Sequence, residues 1–163
     1  MKYLKLYENY NELDPFDEEY WNEVEPDGSF LYWLKENHPD ESKWDKITEI
    51  DCYNKQLTSL KGIENLSKLE FLYCSNNQLT SLKGIEQLTN LRRLYCSNNQ
   101  LTSLKGIEKL TNLTNLSCNY NQLTSLEEIE NLSNLIDLHC FNNLLTNQYK
   151  DYLKTLNINE LYL

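Results

Sequence analysis

From residue 47 onward, apolar and polar positions recur on one fixed step. The unit that begins at Leu69 reads LEFLYCSNNQLTSLKGIEQLTN, the next, from Leu91, reads LRRLYCSNNQLTSLKGIEKLTN, and the one from Leu113 reads LTNLSCNYNQLTSLEEIENLSN. An earlier copy starts at Ile47 (ITEIDCYNKQLTSLKGIENLSK), and a later one at Leu135 (LIDLHCFNNLLTNQYKDYLKTLN) runs one residue long. Cysteines at 52, 74, 96, 118 and 140 set the step at 22 residues. Such regularity is the signature of stacked units, none of which can bury its apolar face alone.

Within a unit, Leu72 and Cys74 alternate with Phe71, Tyr73 and Ser75. This is the period-2 pattern of a strand with one buried face. Stacking the units predicts parallel strands about 4.8 Å apart, with leucines and thiols inside. Leu79, Leu82, Ile85 and Leu88 then follow at steps of three, which predicts a tight 3₁₀-like or helical return on the far side. Gly62, Gly84 and Gly106 share one column there, as expected at a backbone bend; in the fourth copy Glu128 takes the place of glycine.

The segment Leu69-x-x-Leu72-x-Cys74-x-x-Asn77-x-Leu79 resembles the LxxLxLxxNxL signature of the leucine-rich-repeat family, with Cys in place of the third Leu. The 22-residue length and the LTSLKGIExLTN half are similar to the internalin and protein-phosphatase-regulator type of repeat. The resemblance covers residues 44 to 163. It implies an α/β architecture, a right-handed solenoid with a short parallel β-sheet on the concave face and a helical N-terminal cap. It also implies that the asparagines at 77, 99, 121 and 143 turn their amides inward where each strand ends, since buried backbone groups need partners. Lys55 fills that column in the first copy, either as a long cation at a partly open rung or with Asn54 taking the amide role.

A solenoid must cover its terminal cores. Ser29 is the expected N-cap of a short helix over 30–36, ended by Pro39, and Phe30, Leu31, Trp33 and Leu34 with Trp44 supply apolar area for a cap. At the far end the pattern predicts a helix over 148–156 and a last strand, Ile158 to Leu163, whose free edge is open to a second copy, a possible homodimer contact. The division that follows is an acidic segment (1–28), a helical cap (29–46) and a repeat domain (47–163). In the first segment Asp14 and Pro15 read as a helix start, with Phe16, Tyr20 and Val24 at helical spacing; ordered docking and a free tail are both open.

Charge narrows the choice of partner. Residues 1–43 hold 12 acidic side chains against 4 lysines, so −8 of the net −10 lies there. That balance disfavours nucleic acid, whose binding rests on Lys and Arg, and favours a protein partner with a basic surface. No stretch reaches the roughly 18 apolar residues of a membrane helix, and residues 1–10 lack an apolar signal core, so a cytoplasmic protein is expected. The lead segment KLYENYNELDPFDEEYWNE is similar to acidic openings of viral and bacteriophage proteins.

Chemistry finds little to hold. The five thiols sit where the repeat requires an inward apolar side chain, and free Cys behaves as a small buried hydrophobe. There is no CxxC pair, the two histidines are His38 and His139, and strand alternation sends His139 and Cys140 to opposite faces. No phosphate-cradling loop, HExxH or GxSxG is present, so neither a cofactor nor an enzymatic site is expected.

The outward face of the strands is the richer surface. Its residues read Glu49, Asp51, Tyr53; Phe71, Tyr73, Ser75; Arg93, Tyr95, Ser97; Asn115, Ser117, Asn119; and Asp137, His139, Phe141, with Glu160 and Tyr162 on the final rung. Aromatics around an arginine are frequent binding hot spots. Cross-strand aromatic pairs also stabilise a sheet, by roughly 0.2–1 kcal/mol each, so stability alone is the competing explanation. The expectation is a non-catalytic module that binds another protein through Phe71, Tyr73, Arg93, Tyr95, His139 and Phe141. The alternative is an acidic inhibitor or mimic whose first 43 residues block a basic groove on a nucleic-acid-handling enzyme.

Overall fold

The computed structural model describes residues 28–163. The expected acidic helix lies outside this range, as do residues 1–27 of the 43 on which the inhibitor reading rests. Six three-residue strands form one parallel sheet in sequence order. They are β1 (Glu49–Asp51), β2 (Phe71–Tyr73), β3 (Arg93–Tyr95), β4 (Asn115–Ser117), β5 (Asp137–His139) and β6 (Glu160–Tyr162). Leu72 pairs with Leu94 and Leu94 with Leu116, so the register advances by one repeat per rung.

The inward leucine and thiol columns keep one environment through the repeats. Leu72, Leu94, Leu116 and Leu138 are sealed in the core, as are Leu79, Leu82, Ile85 and Leu88 on the return path. Each such side chain contributes roughly 1.5–3 kcal/mol by leaving water. All five cysteines are buried and unpaired. Their backbone N–H groups extend the ladder, Cys74 donating to the Tyr95 carbonyl at 2.8 Å and Cys96 to that of Ser117 at 2.8 Å.

The return path uses 3₁₀ turns at Ile63–Asn65, Ile85–Gln87 and Ile107–Lys109. The glycine before each is left-handed; Gly84 has φ 98° and a Cβ there would lie 3.0 Å from Ile63 Cγ2. Both facts make any side chain there strained. Glu86 reaches back to close this turn, accepting from Gly84 N at 2.9 Å. The fourth copy solves the bend differently. Its 3₁₀ turn is Glu127–Ile129, and Glu128 Oε1 accepts from Ser103 Oγ at 2.7 Å and Leu104 N at 3.2 Å in the preceding unit.

The asparagine ladder has the expected form. Asn77 Nδ2 donates to the Cys52 and Cys74 carbonyls, both at 2.9 Å, while its Oδ1 accepts from Lys55 N and Leu57 N, both at 3.0 Å. The first rung is thus served by the second. Lys55 itself is exposed, and Asn54, also exposed at φ 54°, does not take the amide role.

The N-terminal helix α1 spans Phe30–Asn37, one residue longer than expected, and seals Phe30 and Leu34 against the first repeat. Trp44, in a 3₁₀ segment at Glu41–Lys46, is also buried and donates its indole N–H to the His38 carbonyl at 2.8 Å. Ser29 stands at the N-cap, but its hydroxyl makes no capping bond. Its backbone bridges to Ser59 as a strand would, and its Oγ is buried without a hydrogen-bond partner. At the other end, helix α2 is Asn147–Leu153, shorter than the expected 148–156 because Leu156 already belongs to the turn into β6. Thr146 caps it, accepting from Tyr149 N. Strand β6 occupies only the middle of the expected Ile158–Leu163, and among the described strands it pairs with β5 alone.

Candidate protein-interaction face

Alternation along each three-residue strand leaves its first and last side chains outward, and the parallel register lines these up as columns. One column runs Glu49, Phe71, Arg93, Asn115, Asp137, Glu160; the next runs Asp51, Tyr73, Tyr95, Ser117, His139, Tyr162. Phe71, Tyr73, Tyr95, Asp137 and His139 are half-buried by their neighbours, whereas Arg93 is exposed.

Neighbouring rungs bring four of the six expected contact residues together. The Tyr73 and Tyr95 rings stack with centroids 5.2 Å apart and planes within 6°. Arg93 Cζ lies 5.4 Å from the centre of the Phe71 ring, a cation–π contact on the same face. His139 and Phe141 form a separate group. His139 stacks on Tyr162 at 4.2 Å, and Phe141 meets Tyr120 edge-on at 5.3 Å and 80°.

Polar side chains tie the surface together between the aromatics. Ser97 Oγ and Ser117 Oγ are 2.9 Å apart, Asn98 Nδ2 donates to Asn76 Oδ1 at 2.7 Å, and Asn76 Nδ2 donates to the Tyr53 hydroxyl at 2.6 Å. Asn115 Nδ2 donates to Asp137 Oδ2 at 3.0 Å. The other carboxylate oxygen, Asp137 Oδ1, is buried and accepts no hydrogen bond, although His139 Nε2 approaches to 2.9 Å. At that distance a charged imidazole would form an ion pair.

The inward columns offer no reactive centre. Burial pushes the Cys52 and Cys96 thiols up to about 12 and those of Cys74 and Cys118 well above the usual range. The nucleophilic thiolate is therefore suppressed. Among the described residues no three His, Cys, Asp or Glu side chains converge as metal ligands would. No described helix is long and apolar enough to cross a membrane.

A family model described as Leucine Rich repeats (2 copies) matches three overlapping stretches, residues 45–87, 67–109 and 89–131. The chain belongs to the leucine-rich-repeat family. Solved structures agree with the internalin type of this family. Internalin C2 from Listeria monocytogenes is 27% identical with a TM-score of 0.66, over 74% of this chain and 54% of that one. A leucine-rich-repeat protein from Leptospira interrogans is 36% identical with a TM-score of 0.66, over 71% of this chain and 31% of that one. The functional domain of InlJ from Listeria monocytogenes, described as including a cysteine ladder, is 32% identical with a TM-score of 0.56, over 66% and 28%. This leucine-rich-repeat chain thus spans between 28% and 54% of the length of these relatives. No curated protein matches it in sequence. Leucine-rich-repeat proteins are typically protein–protein interaction modules and generally not catalysts.

Sequence reasoning missed one exposed aromatic of this leucine-rich-repeat surface. The residue that ends each strand turn is left-handed: Asn76, Asn98 and Asn142 have φ between 53° and 57°, and Tyr120 has φ 52°. Asn tolerates that region, whereas a bulky side chain is strained there. The signal was present as Tyr in a column otherwise spelled Asn.

Proposed function

We propose that the chain is a non-catalytic module that grips a protein partner on the concave, outward face of its sheet. Residues 47–163 act as the binding domain and 29–46 as its cap. The contacts are Phe71, Tyr73, Arg93, Tyr95, His139 and Phe141. The supporting observation is the parallel Tyr73–Tyr95 stack beside the Arg93–Phe71 pair. It is a preordered patch of aromatic and guanidinium groups, which lose little side-chain freedom on binding.

Carboxylates frame this patch. Glu49 and Asp51 stand on the rung before it and Asp137 and Glu160 on the last two, so a partner with basic side chains is favoured electrostatically. Five reduced, buried thiols suit a reducing compartment such as the cytoplasm.

The test is capture of the partner from the native host by the wild-type chain and by a Tyr73→Ala, Tyr95→Ala double variant. Far-UV circular dichroism should be the same for both, because neither ring belongs to the core. Capture is expected to vanish with the double variant; undiminished capture removes the outward face as the binding surface.

A further inference from the structure

The outward column Asp51, Tyr73, Tyr95, Ser117, His139, Tyr162 contains two stacked pairs with one small residue between them. Tyr73 lies on Tyr95, and His139 lies on Tyr162. Ser117 interrupts the stack for a single rung. Tyr95 and His139 therefore stand two rungs apart, roughly 9.6 Å at the usual strand spacing. One further planar group fits in that interval at ordinary stacking distance from each ring.

The floor and side of this notch are polar. Ser117 Oγ lies 2.9 Å from Ser97 Oγ and accepts from Asn119 Nδ2 at 3.1 Å, so the hydroxyl is tied to its neighbours. On the neighbouring column Asp137 Oδ2 accepts from Asn115 Nδ2, while its other oxygen, Oδ1, is turned in against His139 Nε2 at 2.9 Å. Oδ2 keeps acceptor capacity beyond its single Asn115 bond, and a charged donor suits a carboxylate best.

The geometry points to this notch as a receptor for one arginine side chain of the protein partner. A guanidinium is planar, so it continues the interrupted stack between Tyr95 and His139. It is also a positively charged fork of N–H donors, which suits the carboxylate of Asp137 beside the notch. A lysine ammonium has the charge but no face to stack, and an aromatic ring has the face but no cationic donors. The same surface already holds one guanidinium against a ring, Arg93 over Phe71. Neutralising a guanidinium at Asp137, beside Glu160 on the next rung, also agrees with the chain's net charge of −10.

This inference rests on the outward face being the binding surface, and its test separates the two. Blocked Gly-Gly-Arg-Gly-Gly is titrated into the full chain alongside versions with lysine or tyrosine at the centre. The ring-proton NMR signals of Tyr95 and His139 are followed. The arginine peptide is expected to move both signals saturably, about fivefold more tightly than the lysine peptide. Asp137→Asn should weaken it about tenfold. Ser117→Phe, which fills the notch, should abolish the response, while Ser117→Ala, which leaves it open, should preserve it. Equal affinity for lysine, tighter binding of the tyrosine peptide, or no movement of either signal overturns the assignment. If Ser117→Phe does not fold, Tyr95→Ala serves instead: one wall is gone, and the preference for arginine over lysine should disappear. Partner capture lost in the Tyr73→Ala, Tyr95→Ala variant but intact in a folded Ser117→Phe variant removes the notch and leaves the face standing. Capture unaffected by the double variant, which also removes the Tyr95 wall, overturns both the face and the notch as the partner's receptor.

Discussion

Asn99 Oδ1 accepts a hydrogen bond from Leu79 N at 2.9 Å, so an asparagine satisfies the backbone of the unit before its own. Its Nδ2 donates to the carbonyls of Cys74 at 3.1 Å and Cys96 at 3.0 Å. One buried amide therefore joins two rungs, and no acceptor-only group can replace it.

Asn99→Asp makes that asymmetry measurable. The carboxylate keeps the acceptor for Leu79 but sets a buried negative charge against two carbonyl oxygens, so the folded-state pKa must rise. A raised pKa contributes stability below the unfolded value of about 3.9 and loses it as pH climbs through the folded value. Relative to wild type, the variant is expected to be destabilised by several kcal/mol at pH 7, of order 3, and by clearly less at pH 4. Urea unfolding of both proteins at the two pH values reads the difference. A deficit independent of pH would show that the lost donor bonds, not the buried charge, set the cost.

Tyr120→Asn trades strain against a surface contact. A left-handed backbone costs a tyrosine on the order of 1 kcal/mol or more, while the exposed edge-on contact with Phe141 contributes roughly 0.5 kcal/mol. The balance predicts a gain in stability of up to about 1 kcal/mol, seen as a higher midpoint in thermal melting. If partner capture falls as stability rises, the strained ring belongs to the contact surface.

The thiol column predicts chemical silence followed by alkaline weakness. Labelling with iodoacetamide at pH 8 should leave Cys74, Cys96 and Cys118 unmodified in the folded chain and modify all five cysteines in guanidinium, as read by peptide mass. Above about pH 9 the unfolded thiols ionise while burial holds Cys96 protonated until about 12. The folded state then binds more protons than the unfolded state, and stability falls with rising pH across that window. Cys96→Val should show a shallower decline than wild type between pH 9 and 11.

The repeat spacing made the fold legible because one rule, 22 residues per rung, fixes the strand pairing and the inward and outward sides together. Leu72 and Cys74 repeat their burial in all five repeats, and Asn77 repeats its own at Asn99 and Asn121, with Asn143 only half-buried. What could not be read lies where a column changes letter. Glu128 is not a defective glycine but a carboxylate that reaches the preceding unit, a contact between side chain and backbone that no periodicity encodes. Ser29 has the spelling of a cap, yet its strand-like pairing with Ser59 turns its hydroxyl elsewhere. The candidate face follows the same division. The Tyr73–Tyr95 stack is implied by register alone, whereas the unbonded oxygen of Asp137 and the reach of His139 toward it depend on rotamers.

Because Leu94 pairs with its counterparts one repeat away in each direction, no rung is aware of how many others exist. A gene that gains or loses one such cassette in frame lengthens or shortens the ribbon without redrawing any join, and in doing so it moves every downstream side chain relative to its partner by a whole storey. Recognition in such a molecule is open to revision by copying, long before any single codon needs to change.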